Sequence, residues 1–333
     1  MTVPRFILVG LLLVSGSLIA HAEPPAGYYL SAKGKTGADL RRALHQIIAN
    51  HHVVPYASST QPDTSDALQV LDEDPANTNN VILIYARRSE PKSTFGLTTG
   101  WNREHLWPNS YGLDDREPAY SDLHNLRAAD ATVNSARGNK FFDDSDPSDP
   151  NYRAPAQAEA PLTSTDSDSW EPPEVVKGDI ARALFYMDVR YEPGTTGEPD
   201  LVLTEATGAI ASTTNFMGRL RTLLVWHEAD PVDAVERQRN DLVFERYQQN
   251  RNPFVDRPEF VRRVFWPVLH IERVQVGSVR LTWPGGFSNA VVQVSQNPGG
   301  SWVGLGMSPL LTNGRWMVTE ATTNVSHYYR LRW

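Results

Sequence analysis

The sequence contains no cysteine. This absence excludes disulfide bonds, cysteine-ligated zinc and thiol nucleophiles, so the fold must be held by its apolar core and by any metal ion that it binds. Two common hydrolase motifs are missing as well: the His-Glu-x-x-His of zinc proteases and the Gly-x-Ser-x-Gly of serine hydrolases. Neither of those enzyme classes is therefore indicated.

Long apolar runs are scarce, and the longest lies at residues 6–19. It is too short, and too interrupted by Gly and Ser, to span a bilayer as a stable anchor. Arg5 precedes the run and a small-x-small tripeptide, Ala-His-Ala, follows it, which is typical of a secretory signal peptide. We therefore predict a signal peptide at residues 1–22, no stable membrane insertion, and a secreted or periplasmic protein. An uncleaved N-terminal anchor is the alternative.

Positive charge is in short supply, with 31 Lys and Arg against 39 Asp and Glu, a net charge of −8. This balance argues weakly against a nucleic-acid partner, because phosphate contacts require Lys and Arg. The negative charge is concentrated, however: residues 143–174 carry nine acidic residues and one arginine. We predict a long, solvated acidic loop there. Residues 236–263 carry seven arginines and five acids, which leaves a local basic surface possible.

The 333 residues, 40% of them hydrophobic, suit a globular protein with one large domain and one small domain. Apolar residues at helical spacing, or in a β-branched run, predict the main elements of the first part. These are helices at 36–50, 174–192, 213–227 and 233–249, and a buried strand at 81–85. We interpret the adjacent His51 and His52 as partners of the first helix's C-terminal dipole, since neighbouring helical residues do not share a face.

The pattern changes near Ile271 to short alternating segments separated by turns rich in Gly, Asn and Pro. This pattern predicts a small, sandwich-like antiparallel β-domain at residues 272–333. The preceding part, residues 23–271, is predicted to be a separate, mainly helical domain, so the fold class is α+β. No ligand-binding constellation is evident in the β-domain, for which a spacer or surface-binding role is the simplest interpretation.

The segment from Trp101 to Phe142 combines side chains suited to phosphodiester hydrolysis. Hard divalent ions such as Mg²⁺ take oxygen ligands and keep several waters, so Glu104 and Asn134 are enough protein ligands. His105 is of the right type to accept a proton from water near neutral pH. Arg137 shares a helix face with Asn134 and is predicted either to hold a phosphate or to fix Glu104. We interpret His124-Asn125 as tying down the loop before that helix.

Several motifs of this segment, taken together and in order, resemble the bacterial endonuclease I family. They are Arg103-Glu104-His105, Asp122-Leu123-His124-Asn125-Leu126 and Val133-Asn134-x-x-Arg137-x-Asn139. Residues 177–191 and 250–256 resemble later segments of the same family, so the resemblance covers roughly Leu40 to Val264. Two departures stand out: Ala128 occupies a position where the family often has Pro, and this chain lacks the disulfides of some members.

The resemblance implies a ββα-metal (His-Me finger) core that cleaves DNA, and often RNA, with little sequence preference. It implies His105 as the general base and Glu104 and Asn134 as ligands of Mg²⁺ (or Mn²⁺ or Ca²⁺). We also predict a monomer. The arginine that stabilises the transition state stays open between Arg116, Arg127 and Arg137. Two other functions also stay open: a metal-dependent phosphoesterase acting on small esters, and a surface-binding protein whose nuclease-like core is inactive.

Overall fold

The computed structural model describes residues 23–192, 197–205, 215–284, 287, 290–312, 315–322 and 326–332. The predicted signal peptide, residues 1–22, lies outside these ranges. Within them, no helix has the length and apolar character needed to cross a membrane. The α-helices are α1 (Gly37–Ile48), α2 (Thr64–Leu71), α3 (Ala131–Arg137), α4 (Lys177–Arg190), α5 (Leu220–Ala229), α6 (Ala234–Leu242), α7 (Pro253–Asp256) and α8 (Glu259–Phe265).

The strands are short in the first part of the chain and longer near its end. They are β1 (Glu73–Asp74), β2 (Asn77–Ile82), β3 (Ser89–Pro91), β4 (Trp101–His105), β5 (Leu126–Asp130), β6 (Phe141–Phe142), β7 (Ser164–Thr165), β8 (Ser169–Glu171), β9 (Val202–Leu203), β10 (Phe216–Met217), β11 (His270–Gln275), β12 (Ser278–Pro284), β13 (Val291–Ser295), β14 (Val303–Gly304), β15 (Leu310–Thr312), β16 (Arg315–Ala321) and β17 (Tyr328–Arg332). The mixture of helices and strands agrees with the predicted α+β class.

Strands β4 and β5 pair antiparallel, and α3 follows β5 without a connecting loop. Asp130 ends β5 and caps α3, because its carboxylate accepts hydrogen bonds from the backbone N–H groups of Thr132 and Val133. Gly138 ends the helix at a positive φ of 60°. The helix is therefore held at a fixed position against the end of β4, where the sequence places Glu104 and His105.

Helix α4 lies in the core, and all its residues except Asp179 are buried. Helices α1, α5 and α7 pack against it. Burial of its large apolar side chains stabilises the fold by about 1.5–3 kcal/mol each. Its two arginines face acids: Arg182 donates to Glu236 Oε1 at 2.6 Å, and Arg190 donates to Glu198 Oε2 at 2.6 Å.

The predicted helices at 36–50, 174–192 and 233–249 are confirmed by α1, α4 and α6, but two other predictions need correction. The helix predicted at 213–227 begins only at Leu220, because Met217 is buried and pairs with Leu203 in a short parallel sheet. Residues 213 and 214 lie outside the described ranges. In the run 81–85, all residues except the half-buried Ile82 are buried, in agreement with the prediction. The strand itself ends at Ile82, however, and the chain then turns, with Arg87 at a positive φ.

The prediction for His51 as a helix-dipole partner is wrong. Helix α1 ends at Ile48, and the imidazole of His51 points inward, where its Nδ1 accepts a hydrogen bond from Arg190 Nε at 3.1 Å. Its Nε2 lies 3.9 Å from Asp122 Oδ2. That buried carboxylate also accepts from the hydroxyls of Tyr186 and Tyr191, at 2.9 and 2.7 Å. His51 therefore belongs to a buried polar network of residues distant in sequence, which local spacing does not reveal.

His124 belongs to the same buried region, and its burial predicts that the protein becomes less stable as the pH falls. Burial lowers the pKa of His124 to about 4, and its Nε2 has no hydrogen-bond partner among the described residues. Between pH 6.5 and 4 the unfolded chain binds the proton more tightly, so the free energy of unfolding falls as the pH falls, by at most about 1.4 kcal/mol per pH unit for this group. Chemical denaturation from pH 7 to 4.5 should show a shallower loss in His124→Gln than in the wild type. An equal change in slope for the exposed His52→Gln would contradict this assignment.

The acidic segment 143–174 is more ordered than the predicted solvated loop. Strand β8 pairs with both β6 and β7, and Trp170 is fully buried against Tyr85, at 5.4 Å between ring centroids. Asp166 is buried too, and its carboxylate accepts hydrogen bonds from three backbone N–H groups. The acidic residues at the tips of the turns are exposed, but the base of the excursion packs onto the core.

The last strands form two antiparallel sheets, with strand orders β11-β12-β16-β15 and β14-β13-β17. Buried residues of both sheets, including Trp283 and Val292, belong to the same apolar cluster as the core of the first part of the chain. Strand β11 begins at His270, two residues before the start of the predicted β-domain at 272. The end of the first part is therefore better placed before His270.

Candidate active site

Glu104 lies near the end of β4 with only 2% of its surface exposed. Its Oε1 accepts a hydrogen bond from the Tyr85 hydroxyl at 2.6 Å and lies 3.3 Å from Arg137 Nη1. Burial raises the pKa of Glu104, and both neighbours oppose that rise. Because the described contacts of the carboxylate fall on Oε1, the arrangement directs Oε2 toward other partners, such as a cation.

Asn134 lies on α3 and is tied to β4 by its amide nitrogen. Nδ2 donates to Asn102 Oδ1 at 2.8 Å and to the backbone carbonyl of Arg103 at 3.2 Å. Nδ2 is thus occupied by acceptors on the strand, whereas no hydrogen bond to Oδ1 is found among the described residues. An oxygen in that state suits a hard cation better than a second hydrogen-bond acceptor does.

His105 is the last residue of β4 and lies among aromatic rings. Its imidazole stacks on Tyr120 at 4.8 Å and on Tyr56 at 5.6 Å between centroids. Nε2 lies 2.8 Å from the carbonyl oxygen of Tyr120. A carbonyl can only accept, so Nε2 carries the hydrogen and the lone pair of the neutral ring is on Nδ1. Burial lowers the pKa of His105 to about 4, which keeps the ring neutral at pH 7.

The three candidate arginines differ sharply in their surroundings. The guanidinium of Arg137 is buried and donates to the backbone carbonyls of His105 and Leu106, at 3.1 and 2.9 Å. Together with its contact to Glu104, this favours the positioning role over the phosphate-holding role. Arg127 lies between Asp72 and Asp179, at 3.5 and 3.4 Å. Arg116 is exposed, and its Nη2 donates to Asp114 at 2.9 Å.

The loop function proposed for His124-Asn125 is confirmed for Asn125. Its Oδ1 accepts from the backbone N–H of Trp107 at 2.7 Å, and its Nδ2 donates to the carbonyl of the same residue at 3.1 Å. This pair of bonds fixes the chain just after His105. His124 contributes through its backbone N–H, which donates to Asp122 Oδ1 at 2.9 Å.

In the described residues, no group of three or more His, Asp or Glu side chains is arranged to hold a metal ion. A site built from one carboxylate, one amide and water molecules does not need such a group. The donor set of Glu104 and Asn134 therefore fits a hard, water-rich ion such as Mg²⁺, and it does not fit a histidine-rich zinc site.

Sequence reasoning missed two residues that hold the site together. Tyr85, read as part of an apolar strand, places its hydroxyl on Glu104, and Tyr120 supplies the carbonyl that sets the tautomer of His105. A buried tyrosine hydroxyl needs a hydrogen-bond partner, so Tyr85 at the end of a buried run was a usable signal. No sequence signal identifies a backbone acceptor such as that of Tyr120.

Comparison with known proteins gives an independent result. The Endonuclease I family matches residues 36–259. An extracellular ribonuclease of Bacillus subtilis (strain 168) is 44% identical over 261 residues, covering 76% of this chain and 85% of the relative. An extracellular ribonuclease of Bacillus amyloliquefaciens is 45% identical over 253 residues, covering 75% of this chain and 82% of the relative. The chain that carries this site belongs to the endonuclease I family and is a nuclease that hydrolyses phosphodiester bonds.

Proposed function

We propose that this protein is a secreted, metal-dependent nuclease that cleaves RNA and DNA with little sequence preference, with His105 as its general base. The observation that carries the proposal is the hydrogen bond from His105 Nε2 to the Tyr120 carbonyl. This bond leaves Nδ1 as a fixed proton acceptor on the residue next to Glu104. The β4–β5–α3 unit that presents both residues is proposed to be a ββα-metal core.

Proton transfer is assigned to the imidazole alone. Nδ1 of His105 accepts a proton from the attacking water, and the Tyr120 carbonyl stabilises the imidazolium that forms by accepting from Nε2. The stacked rings of Tyr56 and Tyr120 hold the imidazole plane, so the ring loses little further freedom when substrate binds.

Glu104 and Asn134 are proposed to hold a divalent ion, Mg²⁺ in the first instance, with Mn²⁺ or Ca²⁺ as alternatives. When bound, such an ion relieves negative charge at the phosphate and at the departing oxygen. Arg137 and Tyr85 keep the Glu104 carboxylate in place from behind, through Oε1. Asn102 and the Arg103 carbonyl do the same for the Asn134 amide.

Among the three candidate arginines, Arg116 is proposed to approach the scissile phosphate. Its side chain is about half exposed, whereas the guanidinium groups of Arg127 and Arg137 are occupied inside the protein. It also belongs to the same loop as Tyr120, whose N–H donates to the Arg116 carbonyl at 3.0 Å. The loop that contains Tyr120, which fixes the tautomer of His105, therefore also carries the accessible guanidinium of Arg116.

The substrate is proposed from the relatives and from the chemistry of the site. Both relatives are named extracellular ribonucleases, which supports RNA as a substrate and export from the cell. Metal-assisted attack by water does not require a 2′-hydroxyl, so DNA should be cleaved by the same residues.

A long RNA and a supercoiled plasmid should both be cut at many positions with Mg²⁺, and neither should be cut with EDTA. Full activity in EDTA, or cleavage only of a small phosphodiester, would overturn the proposal.

The nuclease is expected to work without the two C-terminal sheets, because every proposed site residue lies before β11. A chain ending at Leu269 should fold and cleave RNA with a specific activity within a few-fold of the full chain. Loss of the contacts between the sheets and the core should lower its melting temperature. A truncated protein that is soluble and folded by circular dichroism but inactive would show that the sheets belong to the catalytic unit.

A further inference from the structure

An open pocket of about 440 Å³ lies on the far side of α3 from Asn134. It is lined by residues from the end of that helix and from the acidic excursion: Ala136, Lys140, Asn151, Arg153, Gln157 and Trp170. The volume falls within the range of small-ligand sites, about 300–1,000 Å³. None of these residues takes part in the proposed catalytic steps.

The pocket carries positively charged side chains although it lies in an acidic segment of the chain. Residues 143–174 hold nine acids and a single arginine, Arg153, and that arginine lines the pocket. Its side chain is exposed and forms no hydrogen bond or ion pair with the described residues. Lys140 also lines the pocket and donates to two neutral acceptors, Thr165 Oγ1 and the Asp166 carbonyl. Neither of these acceptors neutralises its positive charge. The acidic neighbour, Asp166, turns its carboxylate toward three backbone amides.

The other lining groups are those that recognise a nucleotide. Gln157 presents a side-chain amide, which can donate to and accept from base edges and sugar hydroxyls. The Asn151 amide donates to Ser167 Oγ at 3.0 Å through Nδ2, so its Oδ1 is the atom that would accept from a ligand. Trp170 forms part of the wall, and its buried Nε1 has no hydrogen-bond partner among the described residues. The indole N–H is therefore not counted among the groups that a ligand would contact, and Trp170 contributes to the pocket as part of its wall.

The pocket lies close to the proposed active site. Ala136 is two residues after Asn134 on α3, and a helix is about 10–12 Å across with a rise of about 1.5 Å per residue, so the two sites are separated by on the order of 10 Å. A strand that follows the protein surface can span this distance within a few nucleotides, since even the closely stacked duplex advances about 3.4 Å per nucleotide. Trp170 also contacts Tyr85, whose hydroxyl holds Glu104.

We propose that this pocket binds one unpaired nucleotide of the substrate strand, within a few positions of the cleaved bond. Arg153 and Lys140 bind its phosphate, and the amides of Gln157 and Asn151 contact the base or the ribose. A base held in a duplex cannot enter, so the pocket favours single-stranded substrate. This inference rests on the proposed nuclease function and identifies the form of its substrate.

The test measures binding in a His105→Ala background, where cleavage is expected to be about 10²–10⁴-fold slower. Fluorescence anisotropy with a 12-nucleotide single-stranded RNA should show a dissociation constant raised roughly 5- to 10-fold by Arg153→Ala, with a salt dependence reduced by about one released counterion. Arg153→Lys should restore most of the affinity. Arg42→Ala, an exposed arginine on α1, is the matched control and should change neither quantity. The same sequence as a duplex should bind equally to all four proteins.

Equal binding of the single strand to Arg153→Ala and Arg42→Ala would overturn the subsite. An equal loss for single strand and duplex would also overturn it, because the arginine would then act as a general charge. Failure of the proposed mechanism shows differently, as RNA cleavage at close to the wild-type rate in the His105→Ala background.

Discussion

Replacing His105 with alanine should lower the rate of RNA cleavage by about 10²–10⁴, the usual cost of losing a positioned proton-transfer group. The affinity for Mg²⁺ should stay nearly unchanged, because the proposed ion ligands are oxygens of Glu104 and Asn134. Single-turnover cleavage at saturating Mg²⁺ measures the first quantity. Added imidazole should partly restore activity to His105→Gly, since the aromatic walls of Tyr56 and Tyr120 remain.

The control for this variant is the exposed His52→Ala, which should cleave at the wild-type rate. A His105→Ala protein that melts normally and retains more than about a tenth of the wild-type rate would exclude His105 as the base, since proton transfer is then expected to cost more.

Replacing Glu104 with glutamine should lower the Mg²⁺ affinity by at least about 10–100-fold and reduce cleavage with it, since even residues that only orient metal ligands cost that much. Glutamine is preferable to alanine because it keeps an acceptor for the Tyr85 hydroxyl and a partner for Arg137. Alanine would leave the Arg137 charge buried and unpaired, at a cost of about 3–5 kcal/mol. An inactive Glu104→Ala protein could then be inactive because it is unfolded and not because it lacks a metal ligand.

Glu259→Gln, an exposed carboxylate on α8, is the matched control and should bind Mg²⁺ as the wild type does. Excess Mg²⁺ or Mn²⁺ should recover part of the Glu104→Gln activity if the defect is one of affinity. A variant that binds the ion normally yet fails to cleave would assign Glu104 a role other than ligand.

The sequence predicted most of the local arrangement at this site. Asn134 and Arg137 lie on one short helix, as helical spacing indicated, and this helix packs against the strand that ends in Glu104 and His105. These features depend on neighbouring residues, so local rules are sufficient for them. The existence and approximate positions of α1, α4 and α6 were predictable for the same reason, although α6 ends at Leu242 and not at residue 249 as predicted.

Long-range contacts were not predictable from spacing. Whether Arg137 held phosphate or fixed Glu104 depended on its burial beneath Phe142, at 4.5 Å from the ring centroid. Arg127 is neutralised by Asp72 and Asp179, more than fifty residues away in each direction along the chain. The acidic excursion was read as solvated because its charge dominates its composition, whereas the burial of Trp170 decides its fold.

Calorimetric titration of Mg²⁺ and Mn²⁺ into the His105→Ala and Glu104→Gln proteins tests the division of roles most directly. The oxygen-ligand assignment predicts near-wild-type affinity for His105→Ala and a large loss of affinity for Glu104→Gln. If His105→Ala abolishes ion binding while Glu104→Gln keeps it, the imidazole is the ligand, and the mechanism must be rebuilt around a histidine-bound ion such as Zn²⁺.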